Sequence, residues 1–422
     1  MTGPEGLEVR WQVTNKGHTP SALLDGTLYV LEKNDIIGYT LETGSPETRI
    51  SDIDAKTLIA PEGQDILFGA TGDAIVAIDP RSEQVRWRWD APKDGGAGAS
   101  SSIPICTTEN DLYALVEENT STDDSSYEGT LSFVRFKDFT DDTMSQIIYR
   151  SRKYGDTRPP SVGGLRTSGE WVYTYLIGGE SILVGWEFWG DDFTVELNHA
   201  PWSFDVERDT TYVLSNPRTE TQSYLEAFDA TTGARLWDTA VPDANTVAAG
   251  DGTAVIGGDF GLIGIDAATG SITWENHNRD PVGGLTVADT TLYSGLTEGG
   301  SHYLSGFDLS DGSTLFTMEF DRPPEVEDSL TVSGDTIVFT TPNAIVCLDR
   351  PASGASTDGS AGRGGESASS EYCSACGGTI SADAAYCSHC GTELKAEGCP
   401  NCGADLTGDE VFCPQCGTNM RN

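Results

Sequence analysis

The feature that most restricts how this chain can fold is a turn, Phe228-Asp229-Ala230-Thr231-Thr232-Gly233-Ala234-Arg235-Leu236-Trp237. It returns almost unchanged at residues 265–274, ending on Trp274, and at 307–316, ending on Phe316. In each copy an Asp closes an apolar run, a glycine follows four residues later, and a large aromatic stands four residues beyond that. The Asp carboxylate can fold back onto the backbone N–H groups of the turn, and glycine adopts positive φ without a steric penalty. One copy specifies a hairpin. Repetition at a near-fixed period specifies an array of identical units.

Weaker copies complete the array. Taking the Asp position as a ruler gives Thr40, Asp79, Lys137, Glu187, Asp229, Asp266, Asp308 and Asp349, with longer intervals where segments have been inserted. A second ruler agrees: a small polar turn precedes an apolar run at Asp25, Asp65, Asp111, Glu170, Asp209, Asp251, Asp289 and Asp335. Short β-rich runs, Gly/Asp/Thr turns and no helical periodicity predict an all-β chain, an eight-bladed β-propeller with four strands per blade. Seven blades is the alternative, if residues 133–197 form one irregular blade. The last unit stops at Arg350 without an aromatic fourth strand, and residues 7–13 around Trp11 resemble that missing strand. The N-terminal segment is therefore expected to close the ring and remove a free sheet edge.

The propeller is expected over 7–350, a Gly/Ser linker over 351–370, and a cysteine-rich module over 371–422, made of 371–392 and 397–418. The linker has nothing to bury, and as a random coil its ends sit on average ~25 Å apart. Residues 117–129 are polar and acidic, which reads as a surface loop. Residues 149–158 form the one basic cluster, also read as a solvated loop, with an anionic ligand or partner as the other reading.

The net charge is −41, from 66 acidic and 25 basic residues, and the acids are spread along the length. That distribution suits a cytosol of molar salt, where a carboxylate surface stays hydrated and its self-repulsion is screened. The N-terminus lacks the basic and apolar regions of a signal peptide, and no run approaches the ~20 apolar residues of a membrane span. A cytoplasmic location is expected, without a membrane span.

Eight of the ten cysteines fall in the last 50 residues, as Cys373/Cys376, Cys387/Cys390, Cys399/Cys402 and Cys413/Cys416, each pair Cys-x-x-Cys followed by Gly. Two such knuckles supply the four thiolates of a closed, tetrahedral structural zinc site. The spacing groups the first four and the last four as ligands of two zinc ions. His389 lies inside a knuckle whose metal already has four sulfurs. A closed site has no open position for substrate, so this metal folds the module and is not catalytic. Residues 371–422 carry seven acidic and two basic groups, which argues against nucleic acid and for a protein partner.

The Asp-x-x-Thr-Gly-x-x-x-Trp signature resembles that of the PQQ-like, or quinoprotein-type, repeat family. Its members include quinoprotein alcohol dehydrogenases and the bacterial outer-membrane barrel-assembly scaffold lipoprotein. The tail resembles the double zinc ribbon. The first resemblance implies that Trp237, Trp274, Trp87 and Trp11 dock against neighbouring blades. In the family's enzymes a quinone and calcium are held with a vicinal Cys–Cys disulfide, and here Cys106 and Cys347 are far apart in sequence. The chain stands nearer to the scaffold members, so no catalytic residue and no bound quinone are expected. His18, His199, His277 and His302 are isolated in sequence. Gly163-Gly164 and Gly283-Gly284 open two first strands; close packing accounts for them, and room for a small ligand in the channel is the other reading. The function expected is an interaction scaffold adapted to high salt. A quinone-dependent oxidoreductase or a channel-binding small-molecule sensor is the alternative.

Overall fold

The computed structural model describes residues 7–14, 21–61, 64–91, 103–107, 111–119, 128–137, 145–155, 161–169, 171–177, 181–187, 192–216, 222–277, 280–324, 326, 330–350, 371–372 and 379–380. Two compact units divide the chain, residues 1–353 and 354–422.

Unit one is an eight-bladed β-propeller. Blades 1 to 7 are sheets of chain-consecutive antiparallel strands, running Ser21–Leu24 to Pro46–Ile50, Thr57–Ile59 to Gln84–Asp90, Ile105–Thr107 to Ser145–Gly155, Ser161–Val162 to Asp192–Glu196, Ala200–Glu207 to Arg235–Pro242, Ala244–Gly250 to Ile272–Asn276, and Asp280–Ala288 to Thr314–Phe320. The first strands of blades 1 to 7 touch one another in succession around the axis. The region 133–197 contributes to two separate blades, so the seven-bladed alternative does not hold.

Blade 8 is built from both ends of the unit. Thr331–Ser333, Thr336–Thr341 and Ala344–Asp349 are followed in the sheet by Val9–Thr14, paired antiparallel with Ala344–Asp349. The N-terminal strand thus supplies the missing fourth strand and closes the ring, as expected. Arg10 ties the seam with its side chain on Asp349 Oδ1 at 2.7 Å.

The core lies between blades, because each sheet buries both faces against its neighbours. Leu225 and Ala227 of blade 5 pack on Ile263 and Ile265 of blade 6, and Trp274 of blade 6 packs on Phe307 and Leu309 of blade 7. Central strands therefore read as near-continuous apolar runs, such as Ala74–Asp79 and Ala344–Asp349.

Two expected loops are corrected. Residues 149–155 belong to the outer strand of blade 3, Ser145–Gly155, rather than to a loop; 156–160 lie outside the described residues. That strand is a sheet edge, where Arg and Lys discourage pairing with another chain. Residues 117–119 and 128–129 likewise extend strands Asp111–Asn119 and Glu128–Lys137, leaving 120–127 outside the described residues. The linker 351–370 is also outside them. In unit two Glu371–Tyr372 pairs antiparallel with Thr379–Ile380.

Candidate interaction and metal-binding sites

In every full copy the repeated turn closes on its own Asp. Asp229 Oδ1 accepts from the N–H and hydroxyl of both Thr231 and Thr232, at 2.7–3.1 Å. Asp266 accepts from the N–H and hydroxyl of Thr269, and Asp308 from those of Ser310. The glycine N–H donates back to the Asp carbonyl, Gly233 to Asp229 and Gly270 to Asp266. Their φ values are +70° and +72°. The hydroxyls of Thr232 and Thr231 hold the Asp229 carboxyl below the usual carboxylate range, and Thr269 does the same for Asp266. These carboxylates are engaged by their own turns.

The aromatic that follows reaches the next blade. Trp237 Nε1 donates to Ala267 O at 2.8 Å, Trp274 Nε1 to Leu309 O at 3.0 Å, and Trp11 Nε1 to Leu41 O at 2.7 Å. Each indole also lies against the turn glycine of that next blade, where a Cβ on Gly270, Gly312 or Gly44 would overlap the ring. Trp87 packs on Phe136 of blade 3, the ring centroids 5.9 Å apart. The docking role implied for these four tryptophans is what the structure has. Blade 4 carries Phe193 in place of a tryptophan, still against Gly233, and the missing donor is replaced by Tyr173, whose hydroxyl donates to Ala230 O at 2.9 Å.

The inner strands hold the features nearest to a binding surface. In blades 5 and 6 the first-strand ladder is bulged, between Pro201 and Ser203 and between Ala244 and Thr246. Blade 7 is irregular between Pro281 and Leu285, and in blade 4 the first strand is split around Gly163-Gly164. The bulged residue of blade 5 is Trp202, which is 58% exposed, with its carbonyl held by the Tyr175 hydroxyl at 2.9 Å. Bulges re-aim a side chain in this way. Beyond the bulge Ser203, Asp205 and Glu207 accept hydrogen bonds from Val247, Ala249 and Gly252 N–H of blade 6. Val247 and Ala249 lie on the first strand of blade 6 and Gly252 in the turn after it. Burial raises the Asp205 carboxyl, with the two N–H groups and Arg166 pulling the other way. Gly163 fits beneath the Tyr175 ring, which favours close packing over ligand space at that glycine pair.

Trp202 escapes a search based on the repeat because it falls six residues before the Arg208-Asp209 turn instead of after a Thr-Gly turn. Its sequence position outside the repeat register is shared with other tryptophans, such as Trp171 and Trp186, so register alone does not single it out.

His199 stacks on Tyr224, His277 sits between Phe260 O and Glu275, and His302 meets Thr297. His18 and His389 lie outside the described residues. Cys347 is fully buried against Leu41 O, its thiol pushed up to about 11 by burial, and Cys106 is half-buried; both are free thiols. Among the described residues no three His, Cys, Asp or Glu side chains gather as metal ligands. All eight knuckle cysteines lie outside the described residues. Next to the first of them, Glu371 pairs with Ile380 and Tyr372 with Thr379. With eight thiols in four Cys-x-x-Cys pairs, the donor set fits zinc.

Residues 221–373, from the third strand of blade 5 onward, match the family model described as outer membrane protein assembly factor BamB. The repeats resemble BamB. Residues 373–417 match the double zinc ribbon model, a span holding all eight knuckle cysteines. Among solved structures, Saccharomyces cerevisiae Sqt1 superposes with a TM-score of 0.59 at 11% identity, covering 81% of this chain and 98% of that one. Kluyveromyces lactis Hsv2 gives 0.46 at 9% identity, covering 73% and 100%. No curated protein matches the chain. The BamB-like repeats run through the regular blades, whereas blades 3 and 4, with their long or split strands, lie before the matched span.

Proposed function

We propose that this chain is a non-enzymatic, cytoplasmic protein-interaction scaffold of a salt-rich cell, with a C-terminal double ribbon folded by two structural zinc ions. The observation that carries the scaffold reading is Trp202, held out on a bulged inner strand by a rigid ring. A large rigid aromatic exposed on a fixed frame is the residue type that anchors protein interfaces at little entropic cost. The partial match to an assembly factor supports the same reading. Cys373, Cys376, Cys387 and Cys390 would hold one zinc, and Cys399, Cys402, Cys413 and Cys416 the other. With two contact modules on one tether, avidity would follow from the linker.

The test is affinity capture in molar salt with three baits: the intact chain, Trp202→Ala, and a chain ending at Pro351. A partner held by the intact chain and weakened by both changes supports the scaffold. The same proteins captured equally by all three baits, or a quinone absorbance in the purified protein, overturns it.

A further inference from the structure

One position in the third strand of each blade, three residues before the turn Asp or its equivalent, faces the preceding blade. Around the ring it is occupied by Ile37, Val76, Val134, Val184, Glu226, Ile263, Ser305 and Val346. Six are branched aliphatics that fill the inter-blade core. Two are polar, and the two interfaces solve the problem differently. Glu226, 1% exposed, keeps its volume and pairs with Arg235 at 2.7 Å, so the space between blades 4 and 5 is filled. Ser305 gives up the volume.

Its loss opens a cleft of about 290 Å³ between blades 6 and 7. Leu262, Leu296 and Phe307 form apolar walls, and Ser305, Thr314 and Thr317 place hydroxyls along one side. Asn276 and Glu298 complete the lining. The residue in register with Ser305 is Thr317, and their hydroxyls meet at 2.9 Å; the corresponding cross-strand partner of Glu226 is Asp238. Two small hydroxyl residues thus stand where the other interface has two carboxylates and the Arg235 guanidinium. The volume lies at the lower bound of small-molecule sites, which run from ~300 Å³ upward and combine apolar walls with a few placed polar groups.

The geometry points to a binding site for a small, neutral, polyhydroxylated molecule of monosaccharide size between blades 6 and 7. Such a molecule has an apolar C–H face for Leu262, Leu296 and Phe307, and hydroxyls that both donate and accept toward Ser305 and Thr317, while the Asn276 amide already donates to Gly312 O at 2.9 Å. Glu298 adds an acceptor and a negative charge, and no Lys or Arg lines the cleft, so an anionic sugar is disfavoured. The site is independent of Trp202 and of the scaffold reading, because it opens between two blades on residues outside the first strands.

The test is calorimetric titration of the full chain in molar salt with D-glucose, myo-inositol and D-glucuronate. At least one neutral probe is expected to bind, with glucuronate weaker by about tenfold, the effect of one unfavourable charge contact. Ser305→Val, which restores the residue type of the other blades, should abolish binding while leaving the far-UV spectrum and melting temperature at or above wild type. Thr317→Val, at a partly exposed position, should weaken it. Absence of heat with both neutral probes, or undiminished binding by folded Ser305→Val protein, overturns the proposal.

Discussion

Trp274 of blade 6 lies against Gly312 of blade 7 and donates its indole N–H to Leu309 O at 3.0 Å. The contact joins two halves of the same motif taken from different blades: an aromatic that ends one copy and a turn glycine that belongs to the next. Gly312 has φ of +69°, and a Cβ there would enter the indole ring. Gly312→Ala therefore combines backbone strain with a clash and should cost at least ~2 kcal/mol. Trp274→Phe keeps most of the ring and leaves the Leu309 carbonyl without its donor, costing about 1–3 kcal/mol. Urea unfolding in molar salt measures both, and a Gly312→Ala change within about 0.5 kcal/mol of wild type would remove the docking role.

At the junction of blades 4 and 5 the same carbonyl position, Ala230 O, is served by Tyr173 instead of an indole. Tyr173→Phe should cost about 1–3 kcal/mol, since Ala230 is buried. Phe193→Trp has no acceptor to gain in the wild-type protein, but in Tyr173→Phe it can restore the tryptophan pattern of the other blades. A double-mutant cycle should show favourable coupling between the two changes. Simple additivity would mean that the tyrosine is not a substitute for the missing indole.

The ring was legible because its joints are local. Asp229, Gly233 and Trp237 lie within nine residues, so their turn is written in consecutive sequence, and counting copies gave eight blades and the closing strand around Trp11. What sequence could not display depends on register between blades. Tyr173 serves Ala230, Ser203 and Asp205 reach Val247 and Ala249, and Ser305 empties a cleft only because a particular face meets a particular neighbour. The basic run at 149–155 is another case: its charge suggests a loop, while an edge strand tolerates charge on a regular backbone.

Two carboxylates in blade 5 should respond to pH with opposite signs. Hydrogen bonds from Thr232 and Thr231 lower the pKa of Asp229, so its stabilisation is present above the unfolded carboxylate range, near ~4, and is lost as pH falls through the folded value. Burial raises that of Glu226, outweighing Arg235, so the fold bears a charge penalty that grows as pH rises above the unfolded carboxylate range, is complete above the folded value, and is shed as pH falls. The destabilisation by Asp229→Asn should therefore shrink on acidification, and Glu226→Gln should become more favourable relative to wild type as pH rises. Urea midpoints across the acid range test both; parallel slopes for the two variants would contradict the assignment.

Zinc removal should separate the two units of the chain. The ribbon segment is poor in apolar residues and its folding energy would come from thiolate coordination. Metal analysis is expected to give two zinc ions per chain, and chelation should unfold 371–422 by proteolysis while the propeller melting transition stays in place. Serine at Cys373 or Cys399 should each remove one ion and leave the other, because the spacing assigns them to different sites. Loss of both ions from either single change would mean that the four knuckles do not pair as first with second and third with fourth.

The charge of the ring gives the last prediction. The first turns of blades 1, 2, 5, 6, 7 and 8 carry Asp25, Asp65, Asp209, Asp251, Asp289 and Asp335. Some are neutralised by the few arginines: Arg81 bridges Asp25 and Asp65 at 3.1 and 2.9 Å, and Arg350 pairs with Asp289 at 2.7 Å. With a net charge of −41, such pairs cannot balance the whole surface. Salt shortens the screening length from about 10 Å at 0.1 M to about 3 Å at 1 M, which removes most repulsion between blades. Stability should therefore fall steeply as salt is withdrawn. Asp209→Asn with Asp251→Asn should flatten that dependence, and Arg81→Gln should steepen it, while all three proteins converge in molar salt. If the wild-type chain melts at the same temperature in dilute and molar salt, the acidic surface is not an adaptation to salt. Convergence of the variants at high salt, with divergence at low, would place the effect in repulsion between neighbouring first turns rather than in the packing of the blades.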